Sequence, residues 1–434
     1  MQTYFLRSFG CQMNEHDAER IRAVLEDHGL TSVESPEDAG VIVYNTCTVR
    51  ESANERFAGH MGSVSRIKRT DPERLVIITG CLTQAEQQAL FAAYPFVDAA
   101  IGPQNLDRLA EILVDGALRP QGFFDDRDVF SGDLAGRRLR SFQAWVQVMS
   151  GCTNFCAYCI VPFVRGPERS RACSAVIAEV EALVGDGVRE VTLLGQNVNA
   201  YGADLTGSPA RGDFADLLRE IGAVEGLRRV RFMTSHPRDL SDRLIAAIAE
   251  IRSVCEHVHL PAQSGSDAVL TAMRRGYTAE TFLERLSALR AAVPDVSVTT
   301  DLIVGFPGET DEDFSATLAL VRAAAFDGAF TFVYSPRSGT AAAGMTEQIP
   351  EAVKKARITE LIAVTQEVSQ TSRQRFVGRT VEVLVEGPSR QPGTSRGRTR
   401  HNMTVNFTGQ ADPGAIVDVV VSGATSTTLK GRLR

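Results

Sequence analysis

The sequence lacks the features that mark exported and membrane proteins. None of its 434 residues falls in an apolar run of the length needed to cross a bilayer. Its start, Met-Gln-Thr-Tyr-Phe-Leu-Arg-Ser-Phe-Gly-Cys, has no basic region followed by a long apolar stretch, so we expect no signal peptide. We therefore expect a cytoplasmic protein, in which thiols stay reduced and clustered cysteines bind metal instead of forming disulfides.

An overall excess of positive charge is also absent. The net charge of −7 argues against nucleic-acid binding by the whole surface. The balance is uneven, however, because residues 373–434 contain ten Lys and Arg against four acidic residues. This segment therefore carries about +6, which leaves about −13 for the rest of the chain. A basic terminal module on an acidic body indicates a polyanionic partner held by that module.

The composition is otherwise ordinary for a globular protein, with 44% hydrophobic and 23% charged residues. The length suggests two to four domains. We expect an N-terminal domain over residues 1–118, an irregular linker over 119–140, a central domain over 141–372 and a C-terminal domain over 373–434.

The N-terminal segment alternates apolar runs with helical patterns, which is typical of a parallel α/β sandwich. The predicted strands are Thr3–Phe9, Val41–Thr46, Leu75–Thr79 and Val97–Ile101. Cys11, Cys47 and Cys81 follow the first three of them. Because parallel strands present their carboxyl ends at one edge of the sheet, we expect the three thiols to converge into a three-thiolate site. Three buried structural cysteines remain the alternative.

A second set of three cysteines, Cys152, Cys156 and Cys159, has the spacing C-x3-C-x2-C. A structural zinc site closes with four ligands, and most iron–sulfur clusters also take four cysteines. Three cysteines on one loop therefore leave one coordination position on the metal free. A zinc or disulfide loop is the alternative, and the odd number of ligands disfavours it.

The central segment contains six strand–helix units, which predict an open or partial (βα)6 barrel. The second cysteine set follows the first of these strands, where barrel chemistry is usually found. Thr310 and Asp313 fit a capping box at the start of the last helix. Polar residues follow or end several strands and are expected at the barrel mouth: Gln196, Ser235, Gln263, Ser264 and Asp301.

The C-terminal segment is predicted to form a small β-barrel of short strands, a module that suits nucleic-acid contact. The predicted strands are Thr380–Glu386, Met403–Phe407, Ile416–Ser422 and Thr427–Arg434. We interpret Ser389–His401, which is dense in Arg, Gly, Ser and Thr, as the connection between the first two. Its basic residues are expected to contact phosphates and not to read bases.

The C-x3-C-x2-C spacing resembles the signature of the radical S-adenosylmethionine (radical SAM) enzymes. The resemblance implies that the three cysteines hold a 4Fe-4S cluster and that SAM binds its open iron. In that family, the reduced cluster cleaves SAM to methionine and a 5′-deoxyadenosyl radical. The resemblance also implies a role in SAM binding for polar strand-end residues, here Gln196, Ser235, Gln263, Ser264 and Asp301.

The segments Ser8–Asn14, Asn45–Glu51 and Thr79–Cys81 look like the N-terminal domain of the radical SAM methylthiotransferases, and the resemblance extends over essentially the whole chain. It implies an auxiliary 4Fe-4S cluster on the first three cysteines and two SAM molecules per turnover. It further implies reduced flavodoxin or ferredoxin as electron donor and a C-terminal TRAM domain, a small RNA-binding β-barrel. We expect a monomer.

Within that family, Asn45–Ala53 and Gly397–Phe407 are similar to the tRNA-modifying (MiaB-type) branch. That branch methylthiolates N(6)-dimethylallyladenosine, also called isopentenyladenosine, at position 37 of tRNA. The alternatives are the RimO-type branch, which modifies a ribosomal-protein aspartate, and the branch that acts on threonylcarbamoyl-adenosine in tRNA. An alternative of another class is a non-catalytic iron–sulfur RNA-binding protein, which would not cleave SAM.

Overall fold

The computed structural model describes residues 2–48, 51–115, 120–125, 130, 133–134, 136–205 and 212–434. The chain forms two compact units. Unit 1 consists of Met1–Leu139, Trp145–Thr153 and Cys159–Arg171, and unit 2 consists of Arg140–Ala144, Asn154–Tyr158 and Ala172–Arg434. None of the described helices combines the length and the apolar composition that a bilayer-spanning helix requires.

Unit 1 contains the parallel sheet predicted for the N-terminal segment, with strand order β2-β1-β3-β4-β5-β6. Its strands are β1 (Thr3–Ser8), β2 (Thr31–Ser32), β3 (Val41–Thr46), β4 (Leu75–Gly80), β5 (Ala99–Ile101) and β6 (Gln121–Phe123). Its helices are α1 (Gln12–Asp27), α2 (Glu51–Thr70), α3 (Cys81–Glu86), α4 (Gln88–Ala93) and α5 (Arg108–Asp115).

Both faces of this sheet are buried, which explains why its central strands are continuous apolar runs. One buried cluster includes Ile42, Tyr44 and Phe57. The other includes Val41, Val43 and Leu109, so adjacent residues of β3 face opposite clusters. All six residues of β3 and all six of β4 are buried. The two strands that precede Cys47 and Cys81 are therefore held firmly in the core.

The strand β6 lies inside the stretch that we expected to be an irregular linker, so that part of the expectation is wrong. It pairs in parallel with β5 at the edge of the sheet. Three residues are too few to show a periodic pattern, and it is the pairing with β5 that defines the strand. Residues 119, 126–129, 131–132 and 135 of the expected linker lie outside the described residues.

The central part of the chain forms two three-stranded sheets, β11-β10-β7 and β12-β13-β14, flanked by helices. The strands are β7 (Gln143–Gln147), β8 (Met149–Ser150), β9 (Arg169–Ser170), β10 (Glu190–Leu194), β11 (Arg229–Phe232), β12 (His257–His259), β13 (Ser297–Val304) and β14 (Gly328–Val333), with β8 and β9 forming a separate pair. The helices are α6 (Val161–Arg165), α7 (Cys173–Gly185), α8 (Phe214–Gly222), α9 (Asp242–Glu250), α10 (Asp267–Ala272), α11 (Ala279–Ala292), α12 (Asp311–Ala324) and α13 (Glu351–Arg373). The capping box of Thr310 and Asp313 at the start of α12 is confirmed.

The C-terminal segment closes into a five-stranded barrel with order β15-β16-β17-β19-β18. Its strands are β15 (Thr380–Pro388), β16 (Thr394–Thr399), β17 (Thr404–Thr408), β18 (Ile416–Ala424) and β19 (Thr428–Leu433). The prediction missed β16, which lies within the presumed connection Ser389–His401. The strand has no apolar side chains, and at Gly397 an added Cβ would lie 2.4 Å from the Leu384 carbonyl oxygen. Close backbone approach thus replaces side-chain packing there.

Two buried arginines of β11 bind the barrel to the central part of unit 2. Arg229 donates to a Glu382 carboxylate oxygen at 2.8 Å and to the Arg398 carbonyl at 2.9 Å. Arg231 donates to the Arg400 carbonyl at 2.8 Å. Glu190, on the neighbouring strand, lies 2.9 Å from Arg231 and compensates the buried positive charge.

The substitution Gly80→Ala should destabilise unit 1 by about 1–3 kcal/mol. Gly80 has φ of +100°, and an added Cβ would lie 2.2 Å from the carbonyl oxygen of Thr46, in a strand that cannot shift. The midpoint of thermal unfolding of the apoprotein measures the effect. As a control, Gly59→Ala within α2 meets nothing within 4 Å and should stabilise by about 0.5–1 kcal/mol. Equal midpoints for the two variants would contradict the constraint at Gly80.

Candidate functional site

Unit 1 brings Cys11, Cys47 and Cys81 together, as the strand-end argument requires. They follow β1, β3 and β4, which are adjacent in the sheet. Cys11 is the N-cap of α1 and Cys81 is the first residue of α3. The thiols of Cys11 and Cys47 are hydrogen-bonded, and Cys81 is close enough to Cys11 for their charges to interact. That the three thiols hold iron remains a proposal.

A glycine permits the close approach of the first two loops. Gly10 has φ of +140°, and an added Cβ would lie 2.4 Å from the Cβ of Cys47. Any side chain at this position would push the Cys11 loop away from Cys47. The Gly-Cys pair at the end of β1 is therefore a steric requirement of the site.

An asparagine pair fixes the same two loops by hydrogen bonds. Asn14, fully buried in α1, accepts from the Cys11 thiol at 3.4 Å. Its Nδ2 donates to Asn45 Oδ1 at 3.0 Å and to the Thr46 carbonyl at 2.9 Å. Asn45 Nδ2 donates in return to the Asn14 carbonyl at 2.8 Å. These bonds hold the residues before Cys47 against the helix that begins after Cys11.

A buried arginine reaches the third cysteine, and sequence reasoning did not find it. Arg165, at the end of α6, donates from Nε to Cys81 Sγ at 3.3 Å. Its other arm donates to Asp17 Oδ2 at 3.0 Å, and both side chains are almost completely buried. The only sequence feature that pointed toward this contact was an Arg-rich stretch after Cys159, and it did not indicate which arginine contacts which cysteine. The contact itself depends on the packing of α6 against α3 within unit 1.

The thiols differ in how readily they ionise. The hydrogen bond from Cys47 lowers the pKa of Cys11 to about 6, whereas burial raises the pKa of Cys81. Iron binds thiolates, so a readily ionised thiol and a guanidinium beside the set both favour the anionic ligands of a cluster. Among the described residues, no three His, Cys, Asp or Glu side chains are arranged to chelate a single metal ion. A cubane cluster instead binds each cysteine at a different iron, and three thiols with a buried guanidinium beside them match that group in donor chemistry.

The second cysteine set is divided between the two units. Cys152 belongs to unit 1, where its backbone N–H donates to the Gly166 carbonyl at 3.1 Å. Gly151 precedes it with φ of +79°, and an added Cβ would lie 1.8 Å from the Pro167 carbonyl oxygen. Cys159 also belongs to unit 1 and is partly exposed.

Cys156 belongs to unit 2 and is buried. Its Sγ accepts from a guanidinium nitrogen of Arg275 at 3.3 Å. The neighbouring backbone of Ala157 donates to the Met273 carbonyl at 3.0 Å and accepts from Ala342 at 2.8 Å. Both backbone groups of Ala157, its N–H and its carbonyl, are therefore hydrogen-bonded within unit 2.

Several buried polar atoms at the carboxyl ends of the unit 2 strands have no hydrogen-bond partner among the described residues. After β10, β11 and β12 these atoms are Asn197 Oδ1, Ser235 Oγ, His236 Nε2 and Gln263 Oε1. Burial lowers the pKa of His236 to about 2, so the ring is neutral. Since His236 Nδ1 accepts from the Arg238 backbone N–H at 3.2 Å, Nε2 carries the hydrogen. The set offers both donors and acceptors, as the amino, carboxylate and ribose groups of SAM require.

The predicted SAM-binding residues have different environments. Gln196 is half-buried directly after β10, and Gln263 adopts φ of +68° beside β13. Ser264 is buried, and its hydroxyl bonds to Thr317 at 3.2 Å. Asp301 lies on β13 with a carboxylate oxygen 3.4 Å from His259 Nε2. Gln196, Ser235, Gln263 and Ser264 follow the ends of β10, β11 and β12, whereas Asp301 lies within β13, where its carbonyl accepts from the Gln263 N–H at 2.8 Å. SAM binding by these residues remains a prediction.

Profiles of three families match successive parts of the chain. The profile of the Radical SAM superfamily matches residues 146–321, that of the uncharacterized protein family UPF0004 matches residues 3–102, and that of the TRAM domain matches residues 374–433. The expected TRAM module is thereby confirmed, and it coincides with the closed five-stranded barrel.

The chain is similar along its full length to curated enzymes. It is 45% identical to the tRNA-2-methylthio-N(6)-dimethylallyladenosine synthase of Moorella thermoacetica, over 100% of this chain and 98% of that protein. It is also 45% identical to the synthase of the same name from Carboxydothermus hydrogenoformans, over 100% of this chain and 99% of that protein. Among solved structures, the radical SAM methyltransferase TsrM from Kitasatospora setae matches with a TM-score of 0.57 at 16% identity, over 79% of this chain and 74% of that one. This last match shows the fold alone.

Removing the Gln263 side-chain carbonyl, whose buried Oε1 has no hydrogen-bond partner among the described residues, should weaken SAM binding. The variant Gln263→Met keeps the length of the side chain but removes its amide, and the loss of one buried hydrogen bond should lower the affinity roughly tenfold. Equilibrium dialysis with SAM on the iron-loaded protein measures the change. The control is Ser253→Ala, a buried serine whose hydroxyl bonds to the Gly222 carbonyl. Unchanged affinity in Gln263→Met would remove this residue from the site.

Proposed function

Because this chain belongs to the family of the tRNA-2-methylthio-N(6)-dimethylallyladenosine synthases, which are radical SAM methylthiotransferases, we propose that it methylthiolates N(6)-dimethylallyladenosine at position 37 of tRNA. The product is 2-methylthio-N(6)-dimethylallyladenosine. The observation that carries the proposal is the presence of two separate sets of three cysteines in one chain. An enzyme that only cleaves SAM needs one such set.

The reaction explains why two sets are needed. The target C–H bond on the adenine ring is not acidic, and no side-chain base can remove its proton. When bound, the cofactors supply a SAM-derived carbon radical for hydrogen-atom removal and a sulfur atom for insertion. We assign Cys152, Cys156 and Cys159 to the 4Fe-4S cluster that binds SAM.

We assign Cys11, Cys47 and Cys81 to an auxiliary 4Fe-4S cluster that holds the sulfur. Two SAM molecules are consumed per turnover, one as methyl donor and one as radical source. A reduced flavodoxin or ferredoxin supplies the electron, and the enzyme acts as a cytoplasmic monomer. The protein's own contribution at the auxiliary site is to bury two of the thiols and to exclude water from them.

The polar strand-end residues are assigned to SAM. Gln263 and Ser235 each offer a buried oxygen without a partner among the described residues, Gln196 follows β10, and Asp301 lies within β13. We retain Ser264 in this set, with its hydroxyl also bonded to the core. These side chains orient SAM and leave the chemical step to the cofactor.

The C-terminal barrel supplies the tRNA contact, and its basic residues fall into two groups. One group forms ion pairs within unit 2, as Arg375 does with Asp327 at 2.6 Å and Arg400 with Glu256 at 2.7 Å. The other group is exposed on the barrel surface. Its members on β16 and β19, which we call the basic face, are Arg396, Lys430 and Arg432, of which Arg396 also lies 3.5 Å from a carboxylate oxygen of Glu386.

Strand register aligns the basic face across three consecutive barrel strands, β16, β17 and β19. Arg396 is opposite Asn406 of β17, and Asn406 is opposite Lys430 of β19. Arg432, two residues after Lys430, is on the same side of the strand. Phosphates are the natural partners of such a row, and a basic row favours RNA over the basic ribosomal protein of the RimO-type alternative.

The decisive experiment measures the modified nucleoside and 5′-deoxyadenosine with purified, anaerobically reconstituted enzyme, SAM, dithionite and tRNA that carries N(6)-dimethylallyladenosine. We expect about eight irons in the wild type and about four in each triple-alanine variant of one cysteine set. Cys81→Ala should still release 5′-deoxyadenosine but form no methylthio product, whereas Cys156→Ala should do neither. Cys173→Ala, outside both sets, should keep both activities. If the wild-type protein makes no 5′-deoxyadenosine, the proposed radical chemistry is wrong and the non-catalytic iron–sulfur RNA-binding protein becomes the better interpretation.

Neutralising the basic face should weaken tRNA binding in a salt-dependent way. The double variant Lys430→Ala/Arg432→Ala removes two phosphate contacts, so the slope of log K against log salt concentration should become shallower by roughly two units. Filter binding or fluorescence anisotropy at several salt concentrations measures it. Arg379→Ala is the matched control, because this arginine of the same module pairs with Asp295 at 2.7 Å. An equal change in the control would contradict the assignment of the basic face.

A further inference from the structure

Among the described residues, a buried arginine donates a hydrogen bond to a sulfur of each cysteine set. Arg165 Nε lies 3.3 Å from Cys81 Sγ in unit 1. A guanidinium nitrogen of Arg275 lies 3.3 Å from Cys156 Sγ in unit 2. The two arginines are only 3% and 5% exposed, respectively. Both charges therefore act on the sulfur through protein and not through water.

The two arginines differ in how their charge is compensated. Arg165 has a carboxylate partner, Asp17, at 3.0 Å. Among the described residues, no carboxylate lies within ion-pair distance of Arg275, whose other partners are the Tyr277 hydroxyl at 3.1 Å and the Pro261 carbonyl at 3.2 Å. A nearby anion cancels much of the field of a cation, so Arg165 presents a weakened charge and Arg275 a nearly full one.

Reduction of an iron–sulfur cluster adds one negative charge. An N–H···S hydrogen bond and a nearby cation both stabilise the reduced form, and both therefore raise the reduction potential. Neither arginine exchanges a proton or an electron in this role, and the electron comes from an external reductant. The uncompensated cation has the larger effect.

We propose that Arg165 and Arg275 are positioning residues that raise the reduction potentials of the clusters at Cys81 and Cys156, and that Asp17 attenuates the effect of Arg165 alone. The proposal rests on the proposed function, since it requires both cysteine sets to carry clusters. It makes the Asp17–Arg165 pair a device that tunes the auxiliary cluster independently of the SAM-binding one.

The test uses full-length proteins that contain a single cluster. Triple alanine replacement of the C-x3-C-x2-C set isolates the auxiliary cluster, and the same replacement of the strand-end set isolates the other. A potentiometric titration monitored by electron paramagnetic resonance then gives the midpoint potential of each. No substrate and no turnover are needed, so the readout is independent of activity.

In these proteins Arg275→Gln should lower the potential of its cluster, with the ratio of reduced to oxidised cluster falling at least tenfold at a fixed applied potential. That change corresponds to about 59 mV for one electron. Arg165→Gln should lower the auxiliary potential by a smaller amount. Asp17→Asn should raise the auxiliary potential, because it removes the anion that attenuates Arg165. If these variants acted only by loosening the site, Arg165→Gln and Asp17→Asn would shift the auxiliary potential in the same direction.

Two controls separate charge from packing. Arg275→Lys and Arg165→Lys keep the cation and should leave the potentials much closer to the wild type than the Gln variants do. Arg171→Gln removes another buried arginine of unit 1, one that pairs with Asp133 at 3.0 Å, and should leave the auxiliary potential unchanged. If a Gln variant fails to bind iron, the midpoint potentials of the Lys variants and of Asp17→Asn still show whether charge or packing sets the potential.

The outcomes also separate this inference from the proposed function. A wild-type protein that takes up iron at only one cysteine set would overturn both. Iron uptake at both sets, with potentials that do not move in Arg165→Gln, Arg275→Gln and Asp17→Asn, would overturn the inference and leave the proposed function standing. A shift of the same sign in Asp17→Asn and Arg165→Gln would show that the pair acts only through packing.

Discussion

The parallel pairing of β1, β3 and β4 is the constraint on which the auxiliary site depends. Parallel strands point their carboxyl ends to one edge, so the residue that follows each strand reaches the same place regardless of its distance along the chain. Cys11, Cys47 and Cys81 use this geometry, and buried strands on both faces of the sheet keep the edge rigid. Glycines at the strand ends let the loops approach within side-chain contact.

Buried arginines solve the electrostatic problem that this arrangement creates. The proposed clusters, each on three thiolates, would be anionic and would need a compensating charge where the protein largely excludes water. Arg165 and Arg275 provide it, one with a carboxylate partner and one without. The same device appears in structural form at the C-terminal barrel, where Arg229 and Arg231 donate to backbone carbonyls and are balanced by Glu190. Arginine is suited to both tasks because its charge persists when buried and its planar group offers several directed donors.

The basic C-terminal segment illustrates how composition and structure divide the information. Ten basic residues against four acidic ones correctly indicated a module of opposite charge to the body. Only the folded arrangement separates Arg375 and Arg400, which are engaged by acids of unit 2, from Lys430 and Arg432, which are exposed. The net charge of the segment counts the ion-paired and the exposed basic residues alike, whereas an RNA partner can contact only the exposed ones.

The sequence by itself determined the fold class, the order of the modules and the two cysteine sets. These are local signals, since a buried parallel strand is an apolar run, the capping box of Thr310 and Asp313 spans four residues, and C-x3-C-x2-C lies on one loop. The tertiary structure decided the rest. The strands β6 and β16 exist through pairing and not through side-chain pattern. The partners of Cys81 and Cys156 are Arg165 and Arg275, which are 84 and 119 residues away in the chain. Such contacts depend on how helices and loops pack, and no short-range pattern encodes them.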